Sequence, residues 1–229
     1  MNWLNDMVSL FFPDYCASCG AHLRKSEEGI CTACLLHLPR TYMHDELDNA
    51  VERLFWGRVN VRSATAFLRM PRHGMVHRMM HELKYNDHRQ VGITLGRLFG
   101  AELNESDRMS AFDAVVPVPL HPAKLRIRGY NQCDAIAEGL SEEMQVPLFS
   151  GALQRTRFNS SQTKKSRWER WNNSVSLFAV KDAEALRGAH LLLLDDVVTT
   201  GATMEACVEA LLSIPEATVS VASVAIPVR

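Results

Sequence analysis

The sequence predicts an α/β fold, a mainly parallel sheet with helices on both faces, preceded by a small four-cysteine module. Three observations carry this. Leu191 to Leu194 are consecutive, too apolar for one half-exposed face and suited to a strand buried on both sides of a parallel sheet. Apolar β-branched runs alternate with helical patterns through residues 59–226, the order of a doubly covered parallel sheet. Near the start, Cys16-x2-Cys19 and Cys31-x2-Cys34 form two pairs eleven residues apart. Four thiolates so spaced can surround one tetrahedral Zn2+.

A chain of 229 residues has room for one full α/β domain and a small module. We divide it into a zinc-binding module over 1–40, a linker over 41–58 and a sheet domain over 59–229. With 47% hydrophobic and 22% charged residues, a core can form and wholesale disorder is excluded. The net charge of −1 carries no global nucleic-acid or membrane signal. No apolar run approaches the ~20 residues of a membrane-spanning helix. The opening MNWLNDMVSLFFPDYC carries Asp6. It lacks both a basic start and a small-residue cleavage site, which speaks against a signal peptide. A cytoplasmic location is expected.

The cysteine module is too small to bury a sufficient core, so a bound metal would supply the missing stability. Two disulfides and a redox pair are the competing readings. A reducing compartment disfavours the first, and a thioredoxin-like motif needs only one pair in a βα context. His22 and His37 lie nearby, but Cys16, Cys19, Cys31 and Cys34 already complete a shell. Cys133 and Cys207 stand alone and read as small buried apolar residues.

Along the rest of the chain, a short helix is expected around Asp45–Trp56 and a strand over Val59–Leu68. Helices follow over Gly74–Leu83 and Gln90–Leu103. His77 and His81 have helical i, i+4 spacing, but two ligands without an intervening glutamate do not make a metal site. Ala114–Val118 reads as a strand closed by prolines. Lys124, Arg126 and Arg128 then fall on a basic loop, and a helix runs over Gln132–Met144. Arg155 to Arg170 sets Arg155, Arg157, Lys164, Lys165, Arg167 and Arg170 among Phe158, Trp168 and Trp171. Both a single-strand nucleic-acid face and a solvated helix with buried tryptophans fit that pattern. A helix over Ala202–Leu212 and a strand over Ala217–Ile226 complete the order.

The chemistry concentrates where the leucine strand ends. Asp195 and Asp196 follow it directly, at the end where open α/β sheets hold ligands. Val197, Val198, Thr199, Thr200 and Gly201 then lead into a helix that begins with Ala202 and Thr203. A loop entering a helix N-terminus offers free N–H groups and a positive dipole end. The three threonines add hydroxyl donors, and Gly201 lets the backbone approach a ligand closely. One turn therefore presents acceptors for sugar hydroxyls beside donors for a phosphate. The bland alternative is a buried strand, an acidic turn and a capped helix. A Walker A loop is excluded, because the chain contains no GxxxxGK.

The segment DDVVTTGAT at 195–203 closely resembles the phosphoribosyl-pyrophosphate signature of type I phosphoribosyltransferases. The resemblance implies that Asp195 and Asp196 meet the ribose hydroxyls and that Thr199–Thr203 hold the 5-phosphate. Four features in order resemble the ComF family over nearly the whole chain. They are the double CxxC, HELKY at 81–85, VPVPLHPAKLRIRGYNQ at 116–132, and an RTR…Q…R..R segment before DDVVTTGAT. This resemblance implies a type I phosphoribosyltransferase-like fold joined to a zinc module. It implies phosphoribosyl pyrophosphate or another ribose 5-phosphate as ligand, with Mg2+. It also implies a link to uptake of single-stranded DNA, with that DNA and a DNA-uptake helicase as partners. HELKY falls where type I enzymes place a pyrophosphate loop, which implicates Lys84 and Tyr85. KLRIRGYNQ falls where they carry a mobile lid, which implicates Arg126 and Arg128. No nucleobase-binding hood is recognisable, so no acceptor is assigned. Three functions stand at this point: a phosphoribosyl-pyrophosphate binder or transferase serving DNA uptake or nucleotide metabolism, a non-catalytic nucleic-acid module, and a ligand-sensing regulator.

Overall fold

The computed structural model describes residues 14–86, 88–109, 111–155 and 177–228. Four strands form one wholly parallel sheet: β1 (Ala64–Met70), β2 (Ala114–Pro117), β5 (His190–Val197) and β6 (Thr218–Pro227). Their lateral order is β1-β6-β5-β2. Two short strands, β3 (Leu153–Arg155) and β4 (Phe178–Val180), pair antiparallel beside it.

The leucine run behaves as its composition requires. Leu191, Leu192, Leu193 and Leu194 are all fully buried, and strand alternation sends successive side chains to opposite faces. Leu192 and Leu194 enter one core with Phe67, Val115, Ala222 and Val224. Leu191 and Leu193 enter the other with Ala66, Val116, Val219 and Val221. The first core is covered by α2 (Met75–Tyr85), α3 (Arg89–Asn104) and α5 (Gln132–Met144). The second is covered by α6 (Ala202–Leu211) and by Met43, Val51 and Phe55.

Helices α3 and α5 approach until their backbones nearly touch. A Cβ on Gly96 would lie 2.0 Å from the Ile136 carbonyl oxygen, and one on Gly139 would lie 2.1 Å from that of Ile93. Gly92, Gly96 and Gly100 recur every fourth residue, which puts a smooth stripe on one side of α3. This crossing fixes where the N-terminus of α5 emerges above the sheet.

Backbone bonds cover both outer strands. Pro147 and Phe149 bond to Val115 on β2, while Pro39 and Thr41 bond to Arg69 and Phe67 on β1. The cysteine module leads directly into that second edge. Cys16, Ile30, Cys34 and Leu38 share one apolar core with α2 and α3. Around α1 (Thr32–Leu36), polar ties join them: Arg78 Nε donates to the Ser18 carbonyl at 2.5 Å, and Thr94 Oγ1 to that of Glu28 at 3.0 Å.

Several local expectations change. The helix expected around Asp45–Trp56 is reduced to a 3-10 turn at Glu52–Leu54. Asn49 is buried there and spends its side-chain amide on the carbonyls of Met43, Glu46 and Ala64, which favours an irregular path. The first strand starts at Ala64 rather than Val59 and runs on to Met70. Lys124, Arg126 and Arg128 lie not on a loop but on α4 (Pro122–Arg128). His121 caps that helix by accepting from the Ala123 N–H at 3.1 Å, Pro122 suits its first turn, and Gly129 closes it at φ 80°. Arg155 lies on β3 with its guanidinium 5.6 Å from the Phe178 ring centroid. Arg157, Phe158, Lys164, Lys165, Arg167, Trp168, Arg170 and Trp171, the remainder of the expected nucleic-acid face, lie outside the described residues.

Candidate functional site

The acids stand at the C-terminal end of β5, a central strand. Asp196 is buried, and its Oδ2 lies 2.7 Å from Lys84 Nζ. The same oxygen accepts from Gln132 Nε2 at 3.1 Å. Gln132 Oε1 in turn accepts from Arg128 Nη1 at 2.9 Å, and the Arg128 guanidinium sits 5.2 Å from the Tyr85 ring centroid. Tyr85 follows Lys84 on α2, so the contacts close into a ring through α2, α4, α5 and β5. Tyr130 reinforces it by donating its hydroxyl to the Leu83 carbonyl. Four of the residues expected at the site (Lys84, Tyr85, Arg128 and Asp196) thus meet in space. Arg126 is exposed on α4 and is not part of the ring.

Asp195 is held differently. Its Oδ1 accepts from the Asp196 backbone N–H at 2.8 Å and from Cys133 Sγ at 3.4 Å. Burial first, and then the neighbouring charge of Asp196, push its pKa up to about 7. Burial and the two carboxylates hold the Cys133 thiol well above its ordinary range. It is therefore a neutral S–H donor at pH 7, not a nucleophile. Cys133, Asp195 and Asp196 bring one sulfur and two carboxylates within 4.8 Å. With the thiol protonated and an ammonium already on Asp196, this is an acid pair with its own counter-ion.

Beyond the acids the chain turns into α6. Thr199, Thr200, Ala202 and Thr203 are exposed and Gly201 is buried. Asp195, Val197, Thr199, Thr200, Gly201 and Thr203 contribute to the lining of a cavity of about 40 Å³. Gly201 occupies the N-cap position at φ 76°, and no side chain caps the helix there. Apart from a long contact of the Ala202 N–H with Thr200 Oγ1 at 3.5 Å, the first amides of α6 are thus open to an anion. The reason for glycine differs from the expected one. A Cβ there would meet Phe55 at 3.3 Å and Leu54 at 3.4 Å, so it would press on the loop's support and not into the ligand's approach. Left-handed backbone adds to the demand. Val198 is buried, and its N–H bonds to the Ala225 carbonyl at 3.0 Å.

Arg58 supports the loop from outside. Its Nη1 donates to the carbonyls of Thr200 and Leu54, both at 2.9 Å, and Nη2 pairs with Glu205. Sequence reasoning missed Arg58, Phe55, Gln132 and Cys133 as site residues. Gln132 carried a signal, since it ends the GYNQ run that leads into α5. Arg58 and Phe55 carried none, because only the tertiary fold brings the segment around residue 55 under the loop.

At the other end of the molecule, the four Sγ atoms of Cys16, Cys19, Cys31 and Cys34 lie within 4.8 Å of one another. Cys19 and Cys31 are 3.7 Å apart at sulfur. A tetrahedron with Zn–S bonds of about 2.3 Å has an edge of about 3.8 Å, so the donor set and its spacing fit such an ion. None of the six cysteines is in a disulfide. Burial pushes the Cys34 thiol up to about 12. Burial also opposes ionisation of Cys16, but backbone N–H donors from Cys31, Cys19 and Ser18 outweigh it and bring that thiol to about 7. No helix among the described residues is long and apolar enough to cross a membrane.

Comparison with known proteins places this geometry. The model of the phosphoribosyl transferase domain matches residues 131–226, from the residue before α5 to the last residue but one of β6. DNA utilization protein YhgH of Escherichia coli O157:H7 is 31% identical over 146 residues, covering 62% of this chain and 63% of that protein. Competence protein F of Haemophilus influenzae is 28% identical over 132 residues, 55% of this chain and 57% of its own. Competence protein ComFC of Bacillus subtilis is 34% identical over 116 residues, 47% of this chain and 45% of its own. The chain thus spans about three-fifths of the YhgH sequence it matches. With its four close cysteines, its parallel sheet and its match to the phosphoribosyl transferase domain, the chain resembles the ComF family of phosphoribosyltransferase-like proteins.

Proposed function

We propose that the chain binds phosphoribosyl pyrophosphate with Mg2+ at the end of β5 and serves the handling of DNA taken up by the cell. The 5-phosphate lies on the amides and hydroxyls of Thr199–Thr203, and the ribose hydroxyls lie on Asp195 and Asp196. The pyrophosphate faces Lys84, Tyr85, Arg126 and Arg128. One observation carries this reading: the Lys84–Asp196–Gln132–Arg128 ring sets cations beside an acid pair at the mouth of an uncapped helix. A ligand that is anionic at both ends and a diol in the middle matches that distribution of charge. Cleavage of the C1–pyrophosphate bond would leave a cationic ribose beside carboxylates and an anionic leaving group beside Lys84 and Arg128, the arrangement that lowers such a barrier. Mg2+, when bound with the ligand, would neutralise part of the pyrophosphate charge.

Structural Zn2+ on Cys16, Cys19, Cys31 and Cys34 is the second element of the proposal, supported by the sulfur spacing. A three-part organisation over 1–40, 41–58 and 59–229 is the third, with the first part docked against α2 and α3. Single-stranded DNA and a DNA-uptake helicase are the partners we propose, and the cytoplasm the compartment. The relatives' names, a DNA utilization protein and competence proteins, support this.

Calorimetric titration with phosphoribosyl pyrophosphate and Mg2+ tests the reading. Wild type is expected to bind it far better than inorganic phosphate, and an Asp195→Asn/Asp196→Asn double variant is expected to lose that preference. Unchanged binding in the variant, or no binding by wild type at millimolar ligand, would remove the proposal.

A further inference from the structure

Asp196 is the acid best buried at the site, yet it is already engaged. Lys84 Nζ at 2.7 Å and Gln132 Nε2 at 3.1 Å both bond to its Oδ2. Asp195 spends its Oδ1 on the Asp196 N–H and the Cys133 thiol. A sugar diol that binds Asp196 through Oδ2 must therefore compete with an ammonium that is only 23% exposed, in surroundings where water screens the pair weakly. Lys84 has somewhere else to go. It ends a flexible four-carbon stem in the last turn of α2, one residue from Tyr85, on which the Arg128 guanidinium rests. An anion arriving between Lys84 and Arg128 would draw the ammonium off Asp196 and free Oδ2 for the sugar.

We propose that the Lys84–Asp196 ion pair is a specificity gate: it holds the sugar-binding acid closed until the anion on C1 of the ribose takes Lys84 away. Lys84 is then the specificity-determining residue, and Gln132, which bonds Arg128 with one end of its amide and Asp196 with the other, is a positioning residue that joins the two halves of the gate. This rests on the ribose-phosphate reading above and deepens it. Ribose 5-phosphate carries the 5-phosphate and the diol but no C1 anion, so it must break the ion pair unaided. The pyrophosphorylated sugar supplies the replacement partner itself. The gate thus selects the activated sugar by making the neutral-C1 sugar bind poorly, which is discrimination by a built-in penalty.

The test is calorimetry at pH 8 with Mg2+ throughout, on wild type and Lys84→Met, with phosphoribosyl pyrophosphate and ribose 5-phosphate as separate ligands. Lys84→Met is expected to bind ribose 5-phosphate about tenfold tighter than wild type, within the range usual for coupled sites, while its affinity for phosphoribosyl pyrophosphate falls. Loss of a merely structural residue would weaken both ligands. Ribose 5-phosphate binding that is weaker or unchanged in the variant overturns the gate. If that happens while wild type still binds phosphoribosyl pyrophosphate, the gate alone fails; if wild type binds neither ligand, the ribose-phosphate reading fails with it. Lys84→Gln, which keeps a polar head, takes the place of the methionine variant if the latter does not fold.

Discussion

The molecule gathers anionic donors in two places, and it does so by opposite means. At the N-terminal module, four sulfurs within 4.8 Å come from one stretch of chain between Cys16 and Cys34. At the end of β5, the groups gathered around Asp196 come from α2, α4 and α5, and even the Gln132 partner is 64 positions away. The first cluster is set by chain spacing; the second is set by packing and carries a cation in Lys84. Four thiols this close, three of them buried, resist ionising together without a counter-charge, so the proposed Zn2+ should matter to the module's stability. The acid pair is stable without a ligand because Lys84 is there, and it must release Lys84 in order to work.

The largest effect that bears on this contrast should come from metal removal. Elemental analysis of protein purified without chelators should find about one Zn2+ per chain. Stripping it, or making Cys34→Ser, should lower Tm by roughly 10 °C, as loss of about 3 kcal/mol or more would in a chain of this size. The drop should extend to the sheet domain, because Cys16, Ile30 and Cys34 share a core with α2 and α3. A module that melts separately while the main transition stays put would break the comparison.

A second test addresses packing as the source of the acid site. Gly96→Ala forces a Cβ against the Ile136 carbonyl, and overpacking of this kind costs typically about 1–3 kcal/mol. Thermal unfolding should register the loss, and ligand affinity should fall as well, because α5 carries Gln132 and Cys133 to the acids. A variant destabilised to this extent that retained full affinity would show the site to be independent of the helix crossing.

The smallest expected effect concerns Asp195. Its pKa in the fold, about 7, exceeds the 3.8 of a free aspartate, so the folded state holds the proton more tightly. The group's contribution to stability is therefore fully present below pH 3.8, is lost as pH rises towards 7, and is flat beyond. Asp195→Asn should remove this penalty, raising Tm relative to wild type by at least about 3 °C at pH 8 in ligand-free protein. The gap should narrow towards pH 4. An unchanged gap across that range would mean Asp195 titrates normally.

What could be read from the sequence follows the same division. The cysteine spacing, the doubly buried leucines, the bounds of α5 and the turn into α6 are encoded within a few residues of themselves, and all were legible. The basic segment after VPVP reads as a loop because it is rich in turn formers, although Pro122 and Gly129 begin and end a helix there. The ring around Asp196 was legible only in pieces: Lys84, Tyr85 and Arg128 could be named through family resemblance, but no local pattern says that Gln132 joins them. Cys133 reads from the sequence as a small buried apolar residue, and its hydrogen bond to Asp195 depends on where the glycine crossing sets down α5. Arg58 and Phe55 lay in a stretch read as linker, where polar composition hid their contacts with the Thr200–Gly201 turn.

The strand order has a consequence for how the protein is made. β6 follows every other described strand in the chain, yet it sits between β1 and β5. Until the ribosome has released residues 218–227, β1 has no partner strand in this sheet, and β5 can pair only with β2. The acids emerge earlier, but the Val198 N–H that fixes the turn after them waits for Ala225. Nascent chains should therefore stay open, with Leu191–Leu194 unshielded on the β6 side, until residues 218–227 have emerged. Such long-range closure is slow and exposes apolar surface, so folding of this sheet should depend on chaperones during synthesis.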